Sequence, residues 1–380
     1  MDAERVARVR NALEGARLDA LVCAMPAHVR MLSGYWPVTG ASIALFTREG
    51  AVALVVPEDE CEFARQGWAD PIVTYSPASL GNLRGLGDIL PEPLQTVCRA
   101  AGLTENSSIG IESGAEFDPS TYASNLNWGG LLESLLPQLK KTDATPLMVD
   151  LKAVLTGPEL DGLRRACSIA ACAFRDVNSA VQPGAREYEA AALLRSRLNR
   201  GLIDGRRSGG FAWCMSGPNA ALAYRAYQLT GDREFEAGDH VLLHCNSYYA
   251  GMWTDVTRTV SLDRSKNEDI RAAISDARSA AISAVRPGVE AREVDHAARE
   301  VLEHRGFGKQ FRHATGHGVG FAAINHNAKP RIHPLSHDLL ESGMVFNIEP
   351  AVYIEGVCGM RHCDMVAVTP GGAELLTRFP

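Results

Sequence analysis

Apolar positions along the first 150 residues change period several times. Residues 1–22, MDAERVARVRNALEGARLDALV, read as an amphipathic helix running into a strand. Short apolar runs follow between helical patterns: LDALVCAM, SIALFT, AVALVVP, SSIGIES and TPLMVD. Strands alternating with helices predict an α/β domain over residues 1–150. A junction, DLKAVLTGPEL, then opens a long helix, with Pro158 and Glu159 as its start signals.

Residues 154–380 carry an internal repeat. AVQPGAREYEAA from Ala180 matches AVRPGVEAREVDHAA from Ala284, and EAGDHVLLHCN from Glu236 matches ESGMVFNIEP from Glu341. Pro183 and Pro287 lie 104 positions apart, and Glu236 and Glu341 lie 105 apart, so the register is nearly constant. The repeat predicts two similar units, about 160–262 and 268–370, each two helices followed by paired strands. Pairing them about a pseudo-twofold axis leaves the helices outside and turns equivalent strands toward one cavity. His244 and Glu349 occupy equivalent places at the ends of apolar strands, and their hairpin partners are Asp255 and Cys363.

Charge and composition narrow the function. A net charge of −7, with no basic run, argues against a nucleic-acid or anionic-membrane partner. No apolar run is long enough to span a bilayer. The opening residues lack a signal-peptide pattern, and nine cysteines follow no disulfide framework, so the expected location is the cytoplasm.

The candidate chemistry lies in the second half. His244, Asp255, Glu349 and Cys363 meet FRHATGHGVGF, in which His313 and His317 stand four apart among glycines that permit close backbone approach. Imidazole, carboxylate and thiol in one pocket suit a divalent ion such as zinc, iron or manganese. His28, His240, His304, His333 and His337 read as ordinary hydrogen-bonded or surface histidines, and buried cysteines elsewhere as small hydrophobes. Tyr35 and Trp36 either cap a pocket or pack in a core.

TDVTRT (254–259), HATGHGVG (313–320), GMVFNIEPAVYIEG (343–356), RHCDMVAVT (361–369), SGPNAAL (216–222) and PAHVRMLSGYW (26–36) together resemble the creatinase/prolidase/aminopeptidase-P family of pita-bread fold hydrolases. The resemblance implies an N-terminal creatinase-like α/β domain followed by a pita-bread domain, an α/β (α+β) architecture overall, and a homodimer. Metallopeptidases of that family hold two metal ions with Asp, Asp, His, Glu and Glu. Carried over, the second Asp is Asp255, the His is His317 and the first Glu is Glu349. His244 stands where the first Asp belongs, and Cys363 where the bridging Glu belongs. A substrate-side His is replaced by Tyr224. A further His is displaced: Ile324 holds its spacing and His326 lies two residues on.

Fewer carboxylates weaken a pair of closely spaced cations. The resemblance therefore implies at most one ion, on Asp255, His317, Glu349 and Cys363, with His244 as fifth ligand or supporting donor, or no metal at all. The leading expectation is a hydrolase that cleaves a C–N bond in a small peptide, of the Xaa-Pro peptidase type. Glu349 would move the proton, and His313, His326 and Tyr224 would contact the substrate. A metal-free, creatinase-like hydrolase of a small polar guanidino, amidine or cyclic metabolite is the alternative, with Cys363 as a conceivable nucleophile served by His244 or His317. A non-catalytic peptide-binding module is the third. Arg258 and Arg361 are expected to orient the carboxylates.

Overall fold

Asp2 starts the first helix, Ala3–Ala16, by accepting the Arg5 N–H at 3.0 Å, and Val9 and Leu13 bury its apolar face. The computed structural model describes all residues except 77–79, 82, 113–121, 124–127, 226–228, 326 and 380. These residues form two units, Met1–Lys152 and Ala153–Pro380.

The first unit is built on a six-stranded sheet in the order Ile72–Tyr75, Val52–Pro57, Ile43–Thr47, Ala20–Cys23, Ser108–Ile111 and Lys140–Asp143. Ala20–Cys23 pairs antiparallel with Ile43–Thr47 and parallel with Ser108–Ile111. Its central strands are buried along their whole length, which is why they read as continuous apolar runs. One expected strand is a helix. TPLMVD lies within Thr145–Ala153, started by Asp143, whose carboxylate accepts the Thr145 N–H at 2.9 Å. A short apolar run does not by itself separate a strand from a buried helix. The sheet's edge strand is instead the polar KKTD of Lys140–Asp143, which no apolar pattern marks.

Tyr35 and Trp36 are buried in this unit, and the Tyr35 hydroxyl donates to Glu60 at 2.8 Å. Both side chains therefore pack within the first unit. Glu112 accepts the Ala24 and Met25 N–H groups at 2.5 and 2.7 Å and meets His28 Nδ1 at 2.5 Å, so it caps the helix Pro26–Ser33.

In the second unit, Thr156 and Glu159 form a capping box at the start of the helix Gly157–Val177. A helix pair then precedes strands twice. Gly157–Val177 and Glu187–Leu198 lead to Arg206–Ser216, His240–Tyr249 and Val256–Ser261; Glu268–Ala284 and Ala291–His304 lead to Val345–Ile348 and Asp364–Thr369. The duplication is unequal. Where the first half has the long strand Arg206–Ser216, the second has an irregular segment, 311–321, joined to its neighbours by isolated bridges. The two halves meet where Thr257 bridges Cys363, whose N–H donates to the Thr257 carbonyl at 3.0 Å. A core running from Met215 and Leu242 through Ile274 and Val294 to Phe346 and Val366 holds helices and strands together. No helix of the described residues is long and apolar enough to cross a membrane.

Candidate active site

The His240–Tyr249 strand reverses at Ala250-Gly251, both with positive φ (49° and 75°), into Met252–Trp253. Returning residues then bring Asp255 beside His244: Asp255 Oδ1 lies 3.6 Å from His244 Nδ1. On the other side, residues 315–318 run along Val345–Ile348. Glu349 N–H donates to Thr315 O at 2.8 Å, and Asn347 N–H to His317 O at 3.1 Å. Gly316 makes this possible, since a Cβ there would lie 1.8 Å from the Asn347 carbonyl oxygen. The result is a cavity of about 420 Å³ whose walls include Tyr224, His244, Asp255, His313, His317, Glu349 and Arg361.

His244 is buried, stacked on Trp213 with ring centroids 5.3 Å apart. Arg361 Nη2, which can only donate, lies 3.2 Å from His244 Nδ1, and Thr257 Oγ1 lies 2.9 Å away. Nδ1 is therefore an acceptor and the ring is neutral. Burial, with the Arg361 charge, brings its pKa down to about 4 despite Asp255. Asp255 is held below the usual carboxylate range: burial opposes its charge, but His317 and Arg361 outweigh that cost. Burial likewise works against a charged His317, yet Asp255 Oδ2, 3.4 Å from Nε2, holds it above the ordinary histidine value.

The expected roles of two residues are corrected by these contacts. Cys363 is fully buried and its thiol donates to the Asp255 carbonyl at 3.2 Å; burial, then the Asp255 and Glu349 charges, push it well above the usual thiol range. It is neither a ready thiolate nor placed against a histidine base, because Asp255 and Asn347 are the groups its sulfur meets among the described residues. Arg258 does not orient a cavity carboxylate. It pairs with Asp364 at 2.7 Å and donates to the carbonyls of Cys363 and Thr377. Arg361 does face the cavity, 3.6 Å from Glu349 and 3.1 Å from Thr257 Oγ1.

His313 points its Nε2 at the Tyr353 hydroxyl, 3.0 Å away, while Nδ1 donates to Ala314 O at 2.8 Å. Burial lowers its pKa, against the pull of Glu349. Tyr353 was not singled out by sequence, though it follows Glu349 by four residues; burial pushes its hydroxyl up to about 12. The Tyr224 hydroxyl accepts from Arg312 Nη1 at 2.9 Å and keeps its own proton to donate. His333, read from sequence as an ordinary hydrogen-bonded or surface histidine, accepts the Leu335 N–H at 3.1 Å and also lines the cavity beside Ile324 and Arg331. His326 lies outside the described residues.

Comparison with known proteins places this arrangement. The family model described as metallopeptidase family M24 matches residues 161–370, and that of the creatinase/prolidase N-terminal domain matches residues 5–151. The chain belongs to metallopeptidase family M24. It is 28% identical over 378 residues to an Xaa-Pro dipeptidase of Pyrococcus furiosus, covering 99% of this chain and 98% of that protein. It is 33% identical over 240 residues to a probable dipeptidase, PepE, of Mycobacterium tuberculosis, covering 62% of each. The crystal structure of the prolidase from Pyrococcus horikoshii superposes with a TM-score of 0.77 at 25% identity, covering 99% of both chains. Membership makes the chain a hydrolase with the creatinase-like and pita-bread architecture, and the non-catalytic reading falls away.

Divalent metals are typical cofactors of this family. The donors in this cavity do not fit such a centre as they stand. An ion bonded at about 2.0–2.3 Å to each ligand atom draws any two of those atoms within about 4.6 Å. Among the described residues, the one group of three His, Cys, Asp or Glu side chains with donor atoms mutually within 4.8 Å is Cys23, His28 and Glu112, outside this cavity. Of the expected four-coordinate set, Asp255, His317 and Glu349 line the cavity and Cys363 lies behind it against Asp255, and no three of them converge on one point.

Proposed function

We propose that the chain hydrolyses the C–N bond of a small peptide, with Xaa-Pro dipeptides as the substrate class. The observation that carries the reading is the cavity itself: about 420 Å³, within the roughly 300–1,000 Å³ range of small-molecule sites, with Glu349, Arg361 and four histidines on its walls. Relatives named Xaa-Pro dipeptidase, matching over nearly the whole chain, support the substrate class.

Glu349 takes a proton from a water molecule as its oxygen adds to the substrate carbonyl. The carbonyl π pair moves onto oxygen, and the resulting oxyanion is met by Arg361 and by the Tyr224 hydroxyl, which Arg312 holds in place. Collapse of the intermediate breaks the C–N bond, and Glu349 returns the proton to the leaving nitrogen. Arg225 and Arg331 on the cavity wall supply positive charge for the free carboxylate of a dipeptide.

Glu349→Gln removes the proton carrier and keeps the shape. It is expected to lower kcat by about 10²- to 10⁴-fold with little change in KM, read with a panel of Xaa-Pro dipeptides. A wild-type protein that turns over no member of that panel, but opens a cyclic amide or a guanidino compound, would falsify the substrate class.

A further inference from the structure

We infer that the Asn347 carboxamide stands in for a cation among the residues expected to hold one, and that the chain works without a divalent metal. Asn347 is fully buried on the strand Val345–Ile348, two residues before Glu349. The orientation of its side chain is set by the backbone. The His317 N–H donates to Asn347 Oδ1 at 2.7 Å, and a peptide N–H cannot accept, so the other end of the amide must be the NH₂ group. That nitrogen lies 3.3 Å from Asp255 Oδ2, 3.4 Å from His317 Nε2 and 3.6 Å from Cys363 Sγ. These are three of the residues that family resemblance would assign to a metal, and they surround an amide nitrogen.

The remaining groups are matched in the same way. Arg361 faces both Glu349 and the acceptor nitrogen of His244, and the Cys363 thiol donates to the Asp255 carbonyl. A metal at this point would have to displace the amide nitrogen. Turning that side chain aside breaks the 2.7 Å bond and leaves the buried His317 N–H unsatisfied. Gly316 packs against the Asn347 carbonyl, so the strand cannot shift to relieve this. The two carboxylates of the cavity thus have hydrogen-bond donors and a guanidinium as their positive partners. This concerns the same cavity as the proposed function but is indifferent to which substrate it takes.

The test is metal titration of the full-length protein, purified without chelator or metal-binding tag, followed by elemental analysis, calorimetry and thermal unfolding. Wild type is expected to hold no stoichiometric metal and to show no shift in Tm with manganese, cobalt or zinc. Asn347→Asp keeps an acceptor for the His317 N–H and turns the amide donor into a carboxylate oxygen. It is expected to melt below wild type alone and to gain roughly 5 °C or more in Tm on adding saturating divalent ion, the size of response linkage gives for a domain of this length. About one equivalent of tightly held metal in the wild type overturns the inference, and so does a folded Asn347→Asp protein with no metal response. Should that variant not fold, the wild-type titration alone decides. None of these readouts uses substrate, so loss of the peptidase reading and loss of this one are told apart.

Discussion

Asp364 follows Cys363 by one residue, yet it serves the fold and not the cavity. Adjacent strand residues point to opposite faces, and Asp364 turns away to Arg258 at 2.7 Å, to Arg278 and to the Thr377 hydroxyl at 2.6 Å, with His362 Nε2 3.3 Å distant. Burial opposes its charge, but His362, Arg258 and Arg278 hold its carboxyl below the usual range. Asp364→Asn leaves Arg258 buried without its counter-charge and is expected to cost about 3–5 kcal/mol in denaturant unfolding at pH 7. The pH dependence has a definite sign. A carboxylate whose folded pKa is depressed stabilises fully above its unfolded value near about 3.9 and loses that contribution as pH falls further. The gap between wild type and variant should therefore narrow below about pH 4; a gap constant down to pH 3 would rule out the ion-pair account. Sequence alone placed Arg258 and Arg361 alike, next to cavity residues. Only the structure separates Arg361, inside, from Arg258, behind the strand.

At the level of elements, one buried carboxylate holds the segment that delivers Tyr224. Glu187, at the start of the helix Glu187–Leu198, accepts the Ser216 N–H at 2.7 Å, the Ser216 hydroxyl at 2.8 Å, the Asn219 amide at 3.0 Å and the Gly231 N–H at 3.0 Å. It thereby ties the residues before and after the cavity-lining stretch 223–225 to one helix start. Glu187→Gln replaces an acceptor by a donor facing donors. It is expected to cost about 1–3 kcal/mol and to raise KM more than it lowers kcat, since the binding wall moves while Glu349 stays. A variant with wild-type stability and KM would show that the loop is held by other contacts. The SGPNAAL motif was visible in sequence, but its anchor, some 30 residues upstream, carries no motif of its own. Edge strand KKTD was missed and helix TPLMVD misread for a related reason: local pattern reports burial, and burial of these elements is decided by neighbours far along the chain.

For the whole molecule, each unit carries its own core. Leu45, Val55, Leu94 and Ile109 belong to the first, and Leu242, Ile274, Phe346 and Val366 to the second. The cavity is lined from Ala223 to Arg361, entirely within the second unit. Residues 153–380 produced alone are expected to unfold in one cooperative thermal transition and to keep an ordered aromatic near-UV spectrum, because they retain their core and both halves of the duplication. A broad, non-cooperative transition would mean that the first unit is required for that core to form.

The constant register of the duplication and the order of the motifs were enough to determine the fold class and the strands that face one cavity. Strand alternation then placed His244, Asp255 and Glu349 on its walls, because a period of two leaves little freedom once one face is buried. What alternation does not convey is distance between segments a hundred residues apart. Whether Cys363 is a thiolate, which arginine enters the cavity, and that His333 reaches it were decided by tertiary packing. Asn347 is the clearest case. It stood in plain view within FNIEP, two residues before Glu349 and therefore on the same face, but its meaning depends on a hydrogen bond from His317 that turns its NH₂ group toward the donors a metal would have needed. Donor direction is a property of the assembled backbone, and residue identity alone does not contain it.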